Sequence, residues 1–353
     1  MTKALVLFSG GLDSVLAVKL LEKQGIEVRG VCFESCFFGC EKAKISAEEI
    51  GLKLPARNAS LRLRNDAGGE VINIDKEILE IVKNPPNGYG KNLNPCIDCH
   101  SLMARLAGEF AKKNDYNIIA TGEVLGQRPF SQNKEALKRV EKIAGLEILR
   151  PLSAKLLPET EYEKNGLVNR GRLLDISGRS RERQLDLVEK YNLKNYATPA
   201  GGCLLTDPEF SQRLLKMLEF WNECDSNDIE LLKNGRVFWF NLTRNKKVLA
   251  VIGRDEKDNN NLEKLVKKGD VMIELKEISG PLTVVRNYKS QDTNHKQILN
   301  SKLQITNKLK MGELRLGEEK SEEEILNIAG LLTGYYSVKA RGKKVNLIIK
   351  IIK

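Results

Sequence analysis

The chain opens on an apolar run, Ala4-Leu5-Val6-Leu7-Phe8, that breaks into Ser9-Gly10-Gly11-Leu12-Asp13-Ser14 and resumes as Val15-Leu16-Ala17-Val18. A short apolar run, a glycine pair and a second apolar stretch predict strand, tight loop and helix. A second strand is expected over Val28–Phe33. A helix follows Cys96–His100, with Leu102, Leu106 and Phe110 four apart. The buried run Ile118-Ile119-Ala120 empties into a polar loop containing Gly122 and Gly126. A further strand is expected to end at Ile148-Leu149-Arg150-Pro151-Leu152, and Ser180–Tyr191 has helical spacing through Leu185 and Val188. From about Phe238 the pattern changes to short alternating runs: Val237–Phe240, Lys247–Ile252, Val271–Leu275 and Leu282–Val285, with a last strand over Val345–Ile352. Asn259-Asn260-Asn261 and Gly269-Asp270 are read as turns between them. This predicts an α/β domain over residues 1–210, a helical linker over 211–235, and a smaller α+β domain with a mixed sheet over 236–353.

The first loop carries chemistry. Gly10 and Gly11 let the backbone turn sharply and bring N–H groups near a phosphate, Ser9 and Ser14 add hydroxyl donors, and the following helix points its positive end at the same place. Asp13 cannot serve an anion and is assigned to the magnesium that accompanies ATP. The plain alternative is a Gly-Gly turn with an Asp/Ser helix start. No Gly-Lys-Ser/Thr follows, so this is not a Walker A loop, and the third glycine of the dinucleotide fingerprint is missing. The hexapeptide Ser9–Ser14 in this strand-to-helix setting resembles the signature of the PP-loop ATP pyrophosphatases. That resemblance implies a doubly wound parallel sheet of the HUP-like type. It also implies cleavage of ATP between its α and β phosphates, with activation of a carbonyl oxygen as an adenylate. Ammonia, an amine or sulfur then displaces AMP.

Seven cysteines bear on that choice. In a chain read as cytosolic, structural disulfides are not expected. Cys96 and Cys99 form a C-x-x-C at the mouth of a helix, which brings two sulfurs together and is expected to lower their pKa. A redox dithiol, a zinc site and iron–sulfur ligation all remain open, and zinc lacks two further ligands in a compact pattern. His100 is read as an ordinary residue of the helix start. Cys203 sits in Thr198-Pro199-Ala200-Gly201-Gly202-Cys203, bracketed by glycine and proline, and is read as a functional thiol on an exposed turn. Three thiolates suffice for a 4Fe–4S cluster with one iron left open; a persulfide on Cys203, resolved by one member of the pair, is the competing scheme. Cys32, Cys36 and Cys40 are read as packing residues, as is Cys224 in a helix with Phe220 and Trp221.

The segment Thr121-Gly122-Glu123-Val124-Leu125-Gly126-Gln127, followed by Ser131-Gln132 and Arg150-Pro151-Leu152, is similar to the catalytic domain of tRNA 4-thiouridine synthetases. The likeness covers roughly residues 1–210. It implies that Thr121, Gly122, Gln127, Ser131 and Gln132 face the nucleotide or the target uridine, with Arg150 the basic residue nearest the site. It also maps the family's iron–sulfur cysteines onto Cys96, Cys99 and Cys203. The phosphate loop begins at residue 9, which is read as leaving no room for the RNA-binding modules that precede it in those enzymes.

Charge then supplies a partner. The net charge of +11 favours a polyanion, nucleic acid above all, although a lysine-rich proteome gives the same excess. Arg170, Arg172, Arg179, Arg181 and Arg183 fall within fourteen residues and are read as phosphate contacts. Tyr335, Tyr336, Lys339, Arg341, Lys343 and Lys344 interleave rings and cations in a manner suited to RNA. Gly253-Arg254-Asp255, Asn261, Gly269-Asp270 and Gly280-Pro281 resemble an NFACT-type RNA-binding domain. No run of about eighteen apolar residues is present, so no membrane span is expected. The reading is an ATP- and magnesium-dependent tRNA uridine thiolase using a 4Fe–4S centre, fed by inorganic sulfide or a cysteine desulfurase. The product is 4-thiouridine, with 2-thiouridine as the alternative. An amine ligase and a non-catalytic RNA-associated nucleotide sensor are the rivals.

Overall fold

The computed structural model describes residues 1–54, 71–194, 196, 203–242, 246–287 and 302–352. The chain divides into two compact units, Met1–Ser211 and Gln212–Lys353.

In the first unit the strands are β1 (Lys3–Leu7), β2 (Glu27–Glu34), β3 (Val71–Asn73) and β4 (Ile118–Thr121). They form one wholly parallel sheet in the order β3-β2-β1-β4. The helices are α1 (Leu12–Glu22), α2 (Glu41–Ile50), α3 (Asp75–Lys83), α4 (Cys96–Lys113), α5 (Lys134–Ala144), α6 (Glu161–Lys164) and α7 (Glu182–Lys190); α8 (Pro208–Phe220) leads into the second unit.

The two faces of the sheet follow from alternation along the strands. Ala4, Val6, Ile118 and Ala120 share a buried cluster with Val15, Val18 and Leu21 of α1 and with Ala43 and Ala47 of α2. Ile119 points the other way, against Gly108 of α4, where an added Cβ would lie 3.6 Å from its side chain. Helices therefore cover both faces. Helix α1 is apolar nearly all round, because Leu12, Leu16 and Leu20 meet Leu152 and Ile176, with Leu187 and Val188 of α7 packed against them. The strand expected to end at Leu152 is reduced to a single parallel bridge, Ala120 to Leu149.

The expectation of no disulfides is corrected: Cys32 and Cys40 are bonded, with Cα atoms 6.1 Å apart. Cys32 lies near the end of β2 and Cys40 caps α2; a tight turn, bridged from Ser35 to Phe38, folds the chain back between them. Linear spacing does not reveal that return.

In the second unit, α9 (Ser226–Lys233), β5 (Arg236–Leu242), β6 (Lys246–Ile252), α10 (Glu256–Leu265), β7 (Val271–Leu275), β8 (Thr283–Arg286), β9 (Lys302–Gln304), β10 (Glu319–Lys320), α11 (Glu322–Tyr335) and β11 (Lys344–Ile351) follow in turn. The sheet is mixed, in the order β10-β5-β6-β8-β7-β11-β9, with β10 and β5 parallel and the other pairs antiparallel. Ile325, Leu326, Ala329 and Leu332 of α11 enter its core. Two expectations fail here. Asn259–Asn261 are not a turn but lie inside α10, whose start is capped by Asp255 accepting from the Asp258 N–H. Cys224 is buried in the turn that follows α8 rather than within a helix.

Candidate functional site

The loop between β1 and α1 is held from several sides. Gly10 has φ +74°, and an added Cβ would strike the backbone of Lys42 and Ala43 at the start of α2. Glycine is therefore required twice over, by dihedral and by space. Ser46 of α2 donates to Gly10 O at 2.8 Å. Gly11 caps α1; its N–H reaches Ser9 Oγ at 3.3 Å, and Ser14 Oγ donates to Gly11 O at 2.8 Å. Ser9 remains exposed at the rim.

The loop after β4 meets this one. An added Cβ at Gly122 would overlap the backbone of Asp13 and Ser14, so only glycine lets the carboxyl ends of β1 and β4 close on each other. Gln127 Nε2 donates to Asp13 Oδ2 at 3.0 Å. Thr121 is buried and its hydroxyl donates to Glu123 Oε2 at 3.1 Å, so it supports the loop from beneath.

Glu123 is the centre of that support. His100 Nδ1 lies 2.9 Å from one oxygen and Arg150 Nε 3.1 Å from the other. Burial alone would raise the Glu123 pKa. The Arg150 charge and the bonds from His100 and Thr121 more than offset it and hold the carboxyl at about 2. Arg150 also pairs with Glu141 and reaches two backbone carbonyls. It is thus a buried cation committed to two carboxylates and the backbone.

The thiols stand at the other end of the same loop. Cys96 opens α4 and Cys99 lies on its first turn, which is fixed by Asn87 donating to Asp98 through its N–H (3.0 Å) and its side chain (2.6 Å). Cys203 caps a short turn over Leu204–Thr206. Asn92, in the loop before α4, holds that turn by donating to Thr206 O at 2.7 Å. Residues 197–202, expected to present Cys203, lie outside the described residues.

The three thiols lie in one another's electrostatic field. Burial pushes Cys203 up to about 11, with Cys96 adding to the rise and Arg128 opposing it. Burial, then Cys203 and Cys96, drive Cys99 higher still. Cys96 is raised by burial, against Arg128 and a hydrogen bond from Ser131. This corrects the expectation of lowered pKa values, since desolvation outweighs the helix start. Among the described residues, no group of three or more His, Cys, Asp or Glu side chains is arranged to hold a metal ion. The donor chemistry nonetheless suits a soft metal: cysteine sulfur is a soft donor, and a cationic centre would favour the thiolate forms that burial and mutual charge disfavour.

A single loop, Gly122–Gln132, therefore reaches both places, with Gln127 bonded to Asp13, Ser131 bonded to Cys96, and the Arg128 charge acting on Cys96 and Cys203. Gln132, buried in the same loop, has a side-chain oxygen with no hydrogen-bond partner.

Residues 1–169 match the ThiI family, described as thiamine biosynthesis protein. The matched stretch falls within the first unit. Relatives include a probable tRNA sulfurtransferase of Anoxybacillus flavithermus, 31% identical over 150 residues, covering 42% of this chain and 35% of the relative. Another, from Moorella thermoacetica, is 29% identical over 233 residues, covering 65% of this chain and 53% of the relative. The chain thus spans about a third to a half of the length of these curated relatives. Among solved structures, a 4-thiouridine synthetase–RNA complex with bound ATP aligns at 19% identity and a TM-score of 0.33, over 66% of this chain and 52% of that one. The matched residues include both the phosphate-type loop and the C-x-x-C; Cys203 lies beyond them.

Proposed function

We propose that this protein is an ATP-dependent tRNA sulfurtransferase that adenylates a uridine carbonyl and replaces its oxygen with sulfur to give 4-thiouridine. The supporting observation is the loop Gly122–Gln132, which bonds Asp13 through Gln127 and Cys96 through Ser131. Open α/β sheets bind ligands at the carboxyl ends of their strands. In this reading Ser9, Gly10, Gly11 and Ser14 cradle the phosphates, Asp13 faces magnesium, and Gly122 and Gln127 complete the nucleotide site. Cys96, Cys99 and Cys203 would hold a 4Fe–4S cluster, which would serve as the sulfur-delivering group there. Arg128 tempers the negative charge that three thiolates bring.

A second scheme uses the same three thiols without a metal. The outer sulfur of a Cys203 persulfide attacks the adenylated carbon and AMP leaves. A thiolate of the pair then attacks Cys203 Sγ, releasing thiouridine and forming a protein disulfide that an external dithiol reduces.

The sulfur source is proposed to be inorganic sulfide or a cysteine desulfurase, and the RNA partner a tRNA. Mass spectrometry of digested tRNA tests the function: deletion of the gene should remove 4-thiouridine, and Cys203→Ala should fail to restore it. Unchanged 4-thiouridine in the deletion strain overturns the proposal. Anaerobically purified protein should contain about four irons per chain; iron-free protein that still thiolates tRNA anaerobically removes the cluster and leaves the persulfide.

A further inference from the structure

The arginines between 170 and 183 do not share one role. Arg170 bonds the buried Glu163 at 2.6 Å, Arg172 reaches the Lys23 carbonyl at 3.4 Å, and Arg183 holds Asp175 at 2.6 Å. Arg181, at the entrance to α7, instead turns toward the phosphate-type loop, its Nη2 3.9 Å from Asp13 Oδ2. That is beyond hydrogen-bond length, so the cation stands near the loop without being locked to it.

Gln184, one turn further on, is fully buried and donates to Asp13 Oδ1 at 3.4 Å. Its own Oε1 is buried and has no hydrogen-bond partner. A packing role alone would be filled better by an apolar side chain; an orphaned acceptor beside a carboxylate calls for a donor that arrives with a ligand. Three side chains thus converge on Asp13: Gln127 from the β4 loop, and Arg181 and Gln184 from α7. Helix α7 lies beyond residue 169, outside the stretch that matches the ThiI family.

We infer that Arg181 and Gln184 are parts of the nucleotide site, Arg181 as a ligand of the ATP phosphate chain and Gln184 as the positioning residue for Asp13. The inference rests on the ATP reading above. Without nucleotide, Arg181 balances the Asp13 carboxylate. A dication taken up at Asp13 repels the guanidinium, and the nearby phosphates offer it bidentate acceptors. Gln184 Oε1 then accepts from a water or hydroxyl that enters with the nucleotide.

Calorimetric titration of the full chain with α,β-methylene ATP, at several magnesium concentrations, tests this. Arg181→Ala should weaken binding about tenfold or more, as expected for one charge-assisted contact, whereas Arg183→Ala should stay within about twofold of wild type, its partner being Asp175. Gln184→Leu should raise the magnesium needed for half-maximal binding. Gln184→Glu, which keeps the acceptor and adds a carboxylate, should lower it, and this second variant serves if the leucine form does not fold. A merely structural Gln184 would change the melting temperature and leave the magnesium dependence unmoved. Wild-type binding together with unaltered Arg181→Ala affinity, or with an unmoved magnesium dependence in the Gln184 variants, overturns the inference alone. Wild-type protein that binds no analogue overturns the ATP reading with it.

Discussion

At the scale of single residues, Asp13 and Glu123 are two carboxylates with opposite duties. Asp13 is partly open and met by side chains from two other segments, so its replacement should be felt in ligand binding rather than folding. Under the proposed function, Asp13→Ala should abolish AMP formation while leaving tRNA affinity nearly intact; wild-type AMP formation by the variant would contradict its place at the phosphates. Glu123 is buried among Arg150, His100 and Thr121. Its folded pKa is depressed, so its stabilising contribution is complete above the unfolded carboxylate range and is lost as pH falls from about 4.5 toward about 2. Glu123→Ala would leave Arg150 buried without that partner and should cost about 3–5 kcal/mol. Denaturant melts at neutral pH and near pH 3 measure both: the difference between wild type and variant should shrink in acid.

At the scale of elements, the crossing of the β4 loop over the first turn of α1 depends on Gly122. Gly122→Ala places a methyl against the backbone of Asp13 and Ser14 and should destabilise by about 1–3 kcal/mol. It should also weaken nucleotide binding, a defect absent from Gly145→Ala, where alanine is strained by the φ of +71° at the end of α5 but meets no neighbouring atom. The end of α11 and the turn before β11 form a second element with a clear physical character. Arg341 lies over the Tyr335 ring at 4.8 Å and Arg236 over Tyr336 at 4.3 Å, while Lys339, Lys343 and Lys344 are exposed. If this surface meets RNA, neutralising Lys339, Arg341, Lys343 and Lys344 should reduce the slope of log affinity against log salt by about one unit for each phosphate left without its cation. An unchanged slope would make the cluster a plain solvated surface.

At the scale of the whole molecule, charge is divided unevenly. Residues 212–353 hold 27 Lys and Arg against 19 Asp and Glu, whereas residues 1–211 hold 31 against 28. The proposed tRNA affinity should therefore fall steeply between about 50 and 200 mM salt, and binding of the ATP analogue should change far less. Filter binding and calorimetry across that range check the contrast.

Much of the molecule was legible in the linear chain. The strand, glycine loop and helix at residues 4–18, the strand and polar loop at 118–132, and the alternating runs of the second sheet all rest on interactions between neighbours in sequence, which hydrophobic period and turn chemistry report directly. The same locality marked Asp13, Cys96 and Cys99 as candidates, while Gln127 came from the family resemblance. Contacts between distant segments were not legible, because nothing local encodes them. The Cys32–Cys40 bond depends on a turn that folds back, and Arg150 became a buried support only once Glu123 and Glu141 had closed around it. The thiol pKa values rise because packing removes water, a quantity absent from spacing alone. One arginine among several was aimed at Asp13 by the way α7 packs on α1, and the buried amide of Gln184 came with it. Sequence determined which side chains were available for chemistry; tertiary packing, by fixing distance and excluding solvent, decided which of them meet.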